Sequence, residues 1–200
     1  MRRSKASRKT RETDISVKLD LDGSGGAKVS TGIGFLDHMI SALAHHGHFD
    51  LELRCKGDLE VDDHHTTEDC ALVLGKAMND ALGDKKGIAR FGCACAPMDE
   101  SLARAVVDLS GRPYAGVKLG LKREFIGETG KEISAENMTH FIRSLAVSGM
   151  MTVHVDVLKG ENDHHKAEAA FKALALALRK AVRLLPGAAR SRTPSTKGVL

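Results

Sequence analysis

The chain has 200 residues, 42% of them hydrophobic and 28% charged, enough for one good core or for two small lobes sharing one. Its formal net charge of +4 asks for no polyanionic partner, and with no Trp and one Tyr it has little with which to build a base-stacking surface, so nucleic-acid binding is not expected. No apolar run approaches the roughly 18 residues of a membrane span, and the Arg- and Ser-rich start lacks the apolar stretch of a signal peptide, so the expectation is a cytoplasmic protein without a membrane partner.

In chain order, residues 1–10 (MRRSKASRKT) form a basic arm, expected to be solvated and flexible. Residues 15–21 alternate as a strand, and LDGSGGAK after them reads as a turn. A phosphate loop is the sharper alternative there, but the Walker spacing is missing. Helical spacing covers 35–44, and alternation marks a strand at 49–55. A long helix is predicted over 64–82, with Leu72, Leu74, Ala77, Met78 and Leu82 apolar and LGDKKG as its stop. Strands follow at 103–109 and 114–121, a helix at 136–146, a strand at 151–158, and a helix at 164–184 ended by Pro186 and Gly187. Cys55, Cys70, Cys93 and Cys95 contain no CxxC and no zinc-module spacing, and they read as buried reduced thiols.

The elements repeat. Asp37 to Ala44 aligns with Thr139 to Ala146, matching His38 with His140, and DDHHTTED aligns with NDHHKAEA, matching His64, His65 and Glu68 with His164, His165 and Glu168. The reading is an α+β chain of two duplicated lobes, each a small sheet packed against helices in a two-layer sandwich. The boundaries are 11–95 for the first repeat, 96–187 for the second and 188–200 for a C-terminal tail.

The doubled His-His-x-x-Glu carries the chemistry. By chance it is expected roughly 0.03 times in such a chain, so two copies at equivalent positions are not decoration. On a helix His64 and Glu68 lie on one face and can grip one ion, as can His164 and Glu168. His65 and His165 point about 100° away and serve another ion, toward another lobe or another subunit. His38 and His140 complete a set of six imidazoles and two carboxylates. That set disfavours Mg and Ca, which want oxygen, and structural zinc, which wants thiolates. It suits Mn, Fe, Co, Ni or Zn, and eight ligands over two six-coordinate ions leave open positions for catalysis. His45, His46 and His48 read as helix-end and surface residues, and His154 as structural.

These residues resemble the imidazoleglycerol-phosphate dehydratase family. The resemblance runs from about residue 11 to the C-terminus through RETDI, GFLDHM, HHGHFDL, GDLEVDDHHTTED, LGKAMNDALGDKKGIARFG, PMDESLA, VDLSGRPY, GENDHHKAEAAFKAL and PSTKGVL. Cys93 and Cys95 stand where that family usually has other residues. The resemblance implies a duplicated fold like domain 2 of ribosomal protein S5, two manganese ions per site, and a homo-oligomeric shell of twenty-four subunits with sites at subunit interfaces. The implied ligands are His38, His64, His65, Glu68, His140, His164, His165 and Glu168, and the implied phosphate contacts are Arg90, Arg112, Ser195 and Lys197, with the tail folding over substrate. The implied reaction is loss of water from imidazole glycerol phosphate, giving imidazole acetol phosphate in histidine biosynthesis. The proton removed has no neighbouring carbonyl, so the imidazole ring must supply the electrons that expel the hydroxyl. Glu12 in RETDI is the expected acid-base group, with Glu168 its competitor. A two-metal phosphoester hydrolase and a non-catalytic metal-assembled shell are the alternatives.

Overall fold

The structure, a computed structural model, describes residues 2–198. Its first half runs β1 (Arg3–Lys9), β2 (Thr13–Asp20), β3 (Ala27–Ser30), α1 (Gly34–Gly47), β4 (Asp50–Gly57) and α2 (His64–Leu82). The second runs β5 (Phe91–Met98), β6 (Ser101–Asp108), β7 (Tyr114–Lys118), α3 (Ala135–Ser148), β10 (Thr152–Lys159) and α4 (Asp163–Val182), with a two-stranded hairpin of β8 (Phe125–Ile126) and β9 (Ile133–Ser134) inserted before α3. The sheets have the same order, β1-β2-β4-β3 and β5-β6-β10-β7. In each, the first three neighbours are antiparallel, and the last strand runs parallel to the one that follows its helix.

The α+β expectation of two duplicated lobes therefore describes the chain. Alternation does the work within each sheet: Ile15, Val17 and Leu19 of β2 face inward opposite Leu51 and Leu53 of β4, and Ala103, Ala105 and Val107 of β6 face inward beside Val153 and Val155 of β10. Each buried Leu, Ile or Phe side chain contributes about 1.5–3 kcal/mol. Helices α1 and α2 cover the first sheet and α3 and α4 the second; the helical layers then pack together, α1 against α4 and α2 against α3. The result is sheet, helices, helices, sheet around one continuous core.

Three expectations need correction. The 1–10 arm is a strand from Arg3 to Lys9, hydrogen-bonded along β2, because Ala6 turns inward and Asp20, Asp69 and Asp14 neutralise Arg3, Arg8 and Lys9. The buried Asp69 also accepts from Thr13 Oγ1 at 2.5 Å. The repeats open on β1 and β5, so their joint lies at 83–90 rather than at 95/96, which would cut β5 in two. Cys93 and Cys95 are exposed, since it is Gly92, Ala94 and Ala96 that turn inward on that strand; Cys70 is buried and Cys55 half-buried. Of the 188–200 tail, Gly187–Ser191 is a 3-10 turn, while Val199 and Leu200 lie outside the described residues.

The LDGSGGAK turn is held from within. The amides of Ser24, Gly25 and Gly26 converge on Asp50 Oδ1 at 2.9, 3.1 and 2.9 Å. A nest of amides that attracts anions is thus taken by the chain's own carboxylate, and no phosphate loop remains.

Candidate functional site

Helix pairing across the halves builds two histidine groups. His38 of α1 meets His164 and Glu168 of α4; His64 and Glu68 of α2 meet His140 of α3. Within each group the ligand atoms lie within 4.8 Å of one another. In the first, Glu168 Oε2 is 3.3 Å from His38 Nε2 and 3.4 Å from His164 Nε2. In the second, Glu68 Oε1 is 3.1 Å from His140 Nε2, and the His64 ring stacks on that of His140 at 4.8 Å. Two imidazole nitrogens with one carboxylate oxygen suit a borderline divalent cation, and three donors leave coordination positions open.

Local structure fixes these side chains. Asn162 caps α4 by accepting from the amides of His164 and His165 at 2.9 and 3.4 Å. Asp62 accepts from the amide of His64 at 2.8 Å. Asp63 and Asp163, preceding the two His-His pairs, clamp the inserted hairpin: Asp63 accepts from the amide and hydroxyl of Ser134 at 2.6 and 2.7 Å, and Asp163 from the amides of Lys122 and Arg123, each at 2.7 Å. Inside the helix Asp163 also pairs with the buried Lys166 ammonium at 2.8 Å. The hairpin returns the support, since the carbonyl of Lys131 accepts from the amide of Phe35 at 3.0 Å in the first turn of α1, one turn before His38.

Glu168 is buried, which by itself raises its pKa, but the Lys172 ammonium at 2.6 Å and His38 outweigh this and hold it below its ordinary value. A cavity of about 530 Å³ adjoins this group between His38, His164, Phe35, Arg123 and Lys131. A larger hollow of about 800 Å³ on the first sheet, bounded by Lys5, Lys18 and Lys28, contains no residue of either histidine group, so chemistry rather than volume selects the site.

His65 and His165 stand apart from both groups, their rings 76° and 82° from those of His64 and His164, as expected for adjacent helical positions. His65 Nδ1 lies 3.1 Å from Asp58 Oδ2 and its Nε2 3.9 Å from Glu12 Oε1. His165 Nδ1 lies 2.7 Å from Glu100 Oε2 and its Nε2 3.7 Å from Asp99 Oδ2. The hydrogen bonds that His65 and His165 donate to Asp58 and Glu100, followed by the charges around them, raise both histidines above their ordinary pKa. Glu100 is held well below the usual carboxylate range by the Asn162 amide, His165 and the Glu161 amide.

The expected phosphate residues gather elsewhere. Asp108 grips Arg90 at 2.7 and 3.1 Å and lies 3.7 Å from Arg112; Arg90 Nη1 donates to the carbonyl of Pro194 at 2.8 Å, which ties the tail to it. Ser195 Oγ accepts from the amide of Lys197 at 3.2 Å. Among the described residues, no hydrogen bond or ion pair joins this cluster to a histidine group. His48 takes a left-handed conformation at the end of α1, as its helix-end reading anticipated, and His154 lies on β10 with its exposed ring beside that of Tyr114.

Reasoning from sequence missed Lys172, Asn137, Asp58 and Glu100. Lys172 lies one helical turn beyond Glu168, a signal that spacing offered. Buried Asn137, with its Oδ1 3.1 Å from His64 Nδ1, is visible only once α2 and α3 pair. Glu100 immediately precedes β6 as Glu12 precedes β2, at an 88-residue offset that the helix alignments do not reveal.

The sequence model of the family Imidazoleglycerol-phosphate dehydratase matches residues 31–178. A protein of that description from Phytophthora nicotianae is 60% identical over 200 residues, covering 100% of this chain, which spans 43% of that relative's length. One from Methanothermobacter thermautotrophicus is 54% identical over 100% of this chain and 98% of its own. Among solved structures, the enzyme from Pyrococcus furiosus is similar with a TM-score of 0.81 and 36% identity over 97% of this chain and 99% of its own. That from Staphylococcus aureus is similar with a TM-score of 0.76 and 34% identity over 91% and 99%.

Proposed function

The chain belongs to the imidazoleglycerol-phosphate dehydratase family, and from that premise we propose that it is a hydro-lyase of histidine biosynthesis, converting imidazole glycerol phosphate to imidazole acetol phosphate and water. The observation that carries the reading is the pair of His-His-Glu groups, each assembled from both halves. No helix is long and apolar enough to cross a membrane; the reading includes a cytoplasmic home.

His38, His164 and Glu168 would hold one manganese ion and His64, Glu68 and His140 a second. When bound, such ions supply Lewis acidity and a template for the imidazole ring. His65 and His165 point away from both groups, which supports completion of each site by a neighbouring subunit; the reading takes that assembly to be a homo-oligomeric shell of twenty-four.

The remaining work falls to the chain's own side chains. Arg90 and Arg112, set by Asp108, with Ser195 and Lys197 of the substrate-covering tail, match a phosphate dianion. Substrate loses the hydroxyl from the carbon attached to the ring and a proton from the next carbon, and the resulting enol tautomerises to the ketone. Glu12, exposed and beside His65, is the proposed proton carrier, and Glu168 is its competitor.

The test is turnover by protein stripped of metal and reloaded with Mn2+, following both ketone and free phosphate. Ketone that requires metal is the expected result. Free phosphate without ketone would make it a phosphoester hydrolase, and neither product despite bound metal would leave a metal-assembled shell.

A further inference from the structure

His65 and His165 are equivalent by repeat, yet their Nδ1 atoms meet carboxylates that are not. Asp58 follows β4, and the eight-residue strands β4 and β10 align Asp58 with Gly160. Glu100 precedes β6, and the eight-residue strands β2 and β6 align it with Glu12. The second half cannot copy the first, because a Cβ at Gly160 would lie 2.3 Å from Ser101 Oγ and 2.9 Å from Lys166 Cγ. It takes its acceptor from the β5–β6 turn instead. The same ring nitrogen is thus served from two unrelated loops, which a shared structural inheritance does not explain.

A carboxylate only accepts hydrogen bonds, so each of these imidazoles carries a proton on Nδ1. Deprotonated at its other nitrogen, such a ring offers Nε2 as a metal donor, the same nitrogen that His38, His140 and His164 turn toward their carboxylates. We propose that Asp58 and Glu100 are positioning residues that lock His65 and His165 as Nε2 metal donors. This rests on the reading of both histidines as ligands and says how their geometry and tautomer are set.

Glu100 allows a sharp test. Its Oε1 accepts from the amides of Glu161 and Asn162 at 3.1 and 2.9 Å, while Oε2 faces His165. In Glu100→Gln those two amides hold the side-chain oxygen, so the new NH2 faces Nδ1 and donates to it. The imidazole is then driven to carry its proton on Nε2, where a metal must bind. The backbone contacts survive, which separates positioning from folding.

The experiment titrates Mn2+ alone into the metal-free parent, Glu100→Gln, Asp58→Ala, which removes the acceptor outright, and His165→Ala, reading free Mn2+ by electron paramagnetic resonance and melting of each metal-free protein by circular dichroism. The expected result is affinity about 10–100-fold weaker in both carboxylate variants, approaching His165→Ala, with parent-like melting. Glu100→Gln and Asp58→Ala binding within threefold of the parent, while His165→Ala weakens, would overturn the proposal and leave the ligand reading standing. His165→Ala binding like the parent would remove the ligand reading and the proposal with it.

Discussion

Replacing Gly75 with alanine asks how far the second histidine group depends on the close crossing of α2 and α3. A Cβ there would lie 2.6 Å from the carbonyl oxygen of Leu145, 2.8 Å from the amide nitrogen of Gly149 and 3.0 Å from Ser148 Cβ, where ordinary contact begins at 3.4 Å. Two of these are backbone atoms that cannot rotate aside, so the helices must part by about 0.8 Å. Overpacking of this kind costs about 1–3 kcal/mol, and the better helix propensity of alanine returns about 1 kcal/mol. A net loss of about 1 kcal/mol lowers Tm by about 2–4 °C in a chain of this size. The more telling effect is local. Glu68 and His140 ride on the parted helices, whereas His38, His164 and Glu168 ride on α1 and α4, whose crossing carries Ala175 at the equivalent place. Mn2+ titration of the variant should resolve one class of sites weakened about tenfold and a second unchanged. Two classes that stay alike, both intact or both weakened, would refute the reasoning.

Asp163→Ala strands the Lys166 ammonium, 4% exposed, and releases the Lys122 and Arg123 amides that anchor the hairpin. The expected loss is about 3–5 kcal/mol by urea unfolding, and a loss below about 1 kcal/mol would contradict it. Asp50 has its pKa lowered below 3.8, chiefly by the Ser24 and Gly26 amides, so its contribution is complete above that value and disappears as pH falls through the folded value. The stability gap between the parent and Asp50→Asn should therefore close in acid; a gap constant from about pH 5 to about pH 2 would sink the argument. Glu12→Gln should reduce turnover by about 10²–10⁴-fold, and survival within a few-fold would show that Glu12 carries no proton.

Much of this architecture is legible in the residues, where burial and periodicity agree. The long helix predicted over 64–82 occupies those residues, because its apolar positions recur every three to four places and Gly83 ends it. Strand β5 is not legible. FGCACAPM points Gly92, Ala94 and Ala96 inward, and small residues leave almost no hydrophobic alternation to read. They are small because α4 lies so close: a Cβ at Gly92 would sit 1.9 Å from the Ala177 carbonyl oxygen. Strand β1 hides for the opposite reason, since RSKASRK reads as charge and only Ala6 is buried. For the site, the helix spacing grouped His64 with Glu68 and His164 with Glu168. It could not reveal which helices would meet, and so it could not reveal Asn137 beside His64 or Lys172 beside Glu168.

Cross-pairing of the helices also constrains ancestry. A half-length chain, one sheet with its two helices, would own a glutamate and two histidines on one helix and a lone histidine on the other, and no complete group within itself. Two such chains related by a dyad would regain both groups at once, each shared between them. Fusion into a single gene keeps that arrangement while lifting the demand that the partners be identical. The halves have used this freedom: Arg8, Thr13 and Asp69 form a polar cluster in one, where the other has Ala96, Ser101 and Ala169. The histidines and glutamates of the two groups themselves have not drifted, because a change to either half damages a group on which both depend.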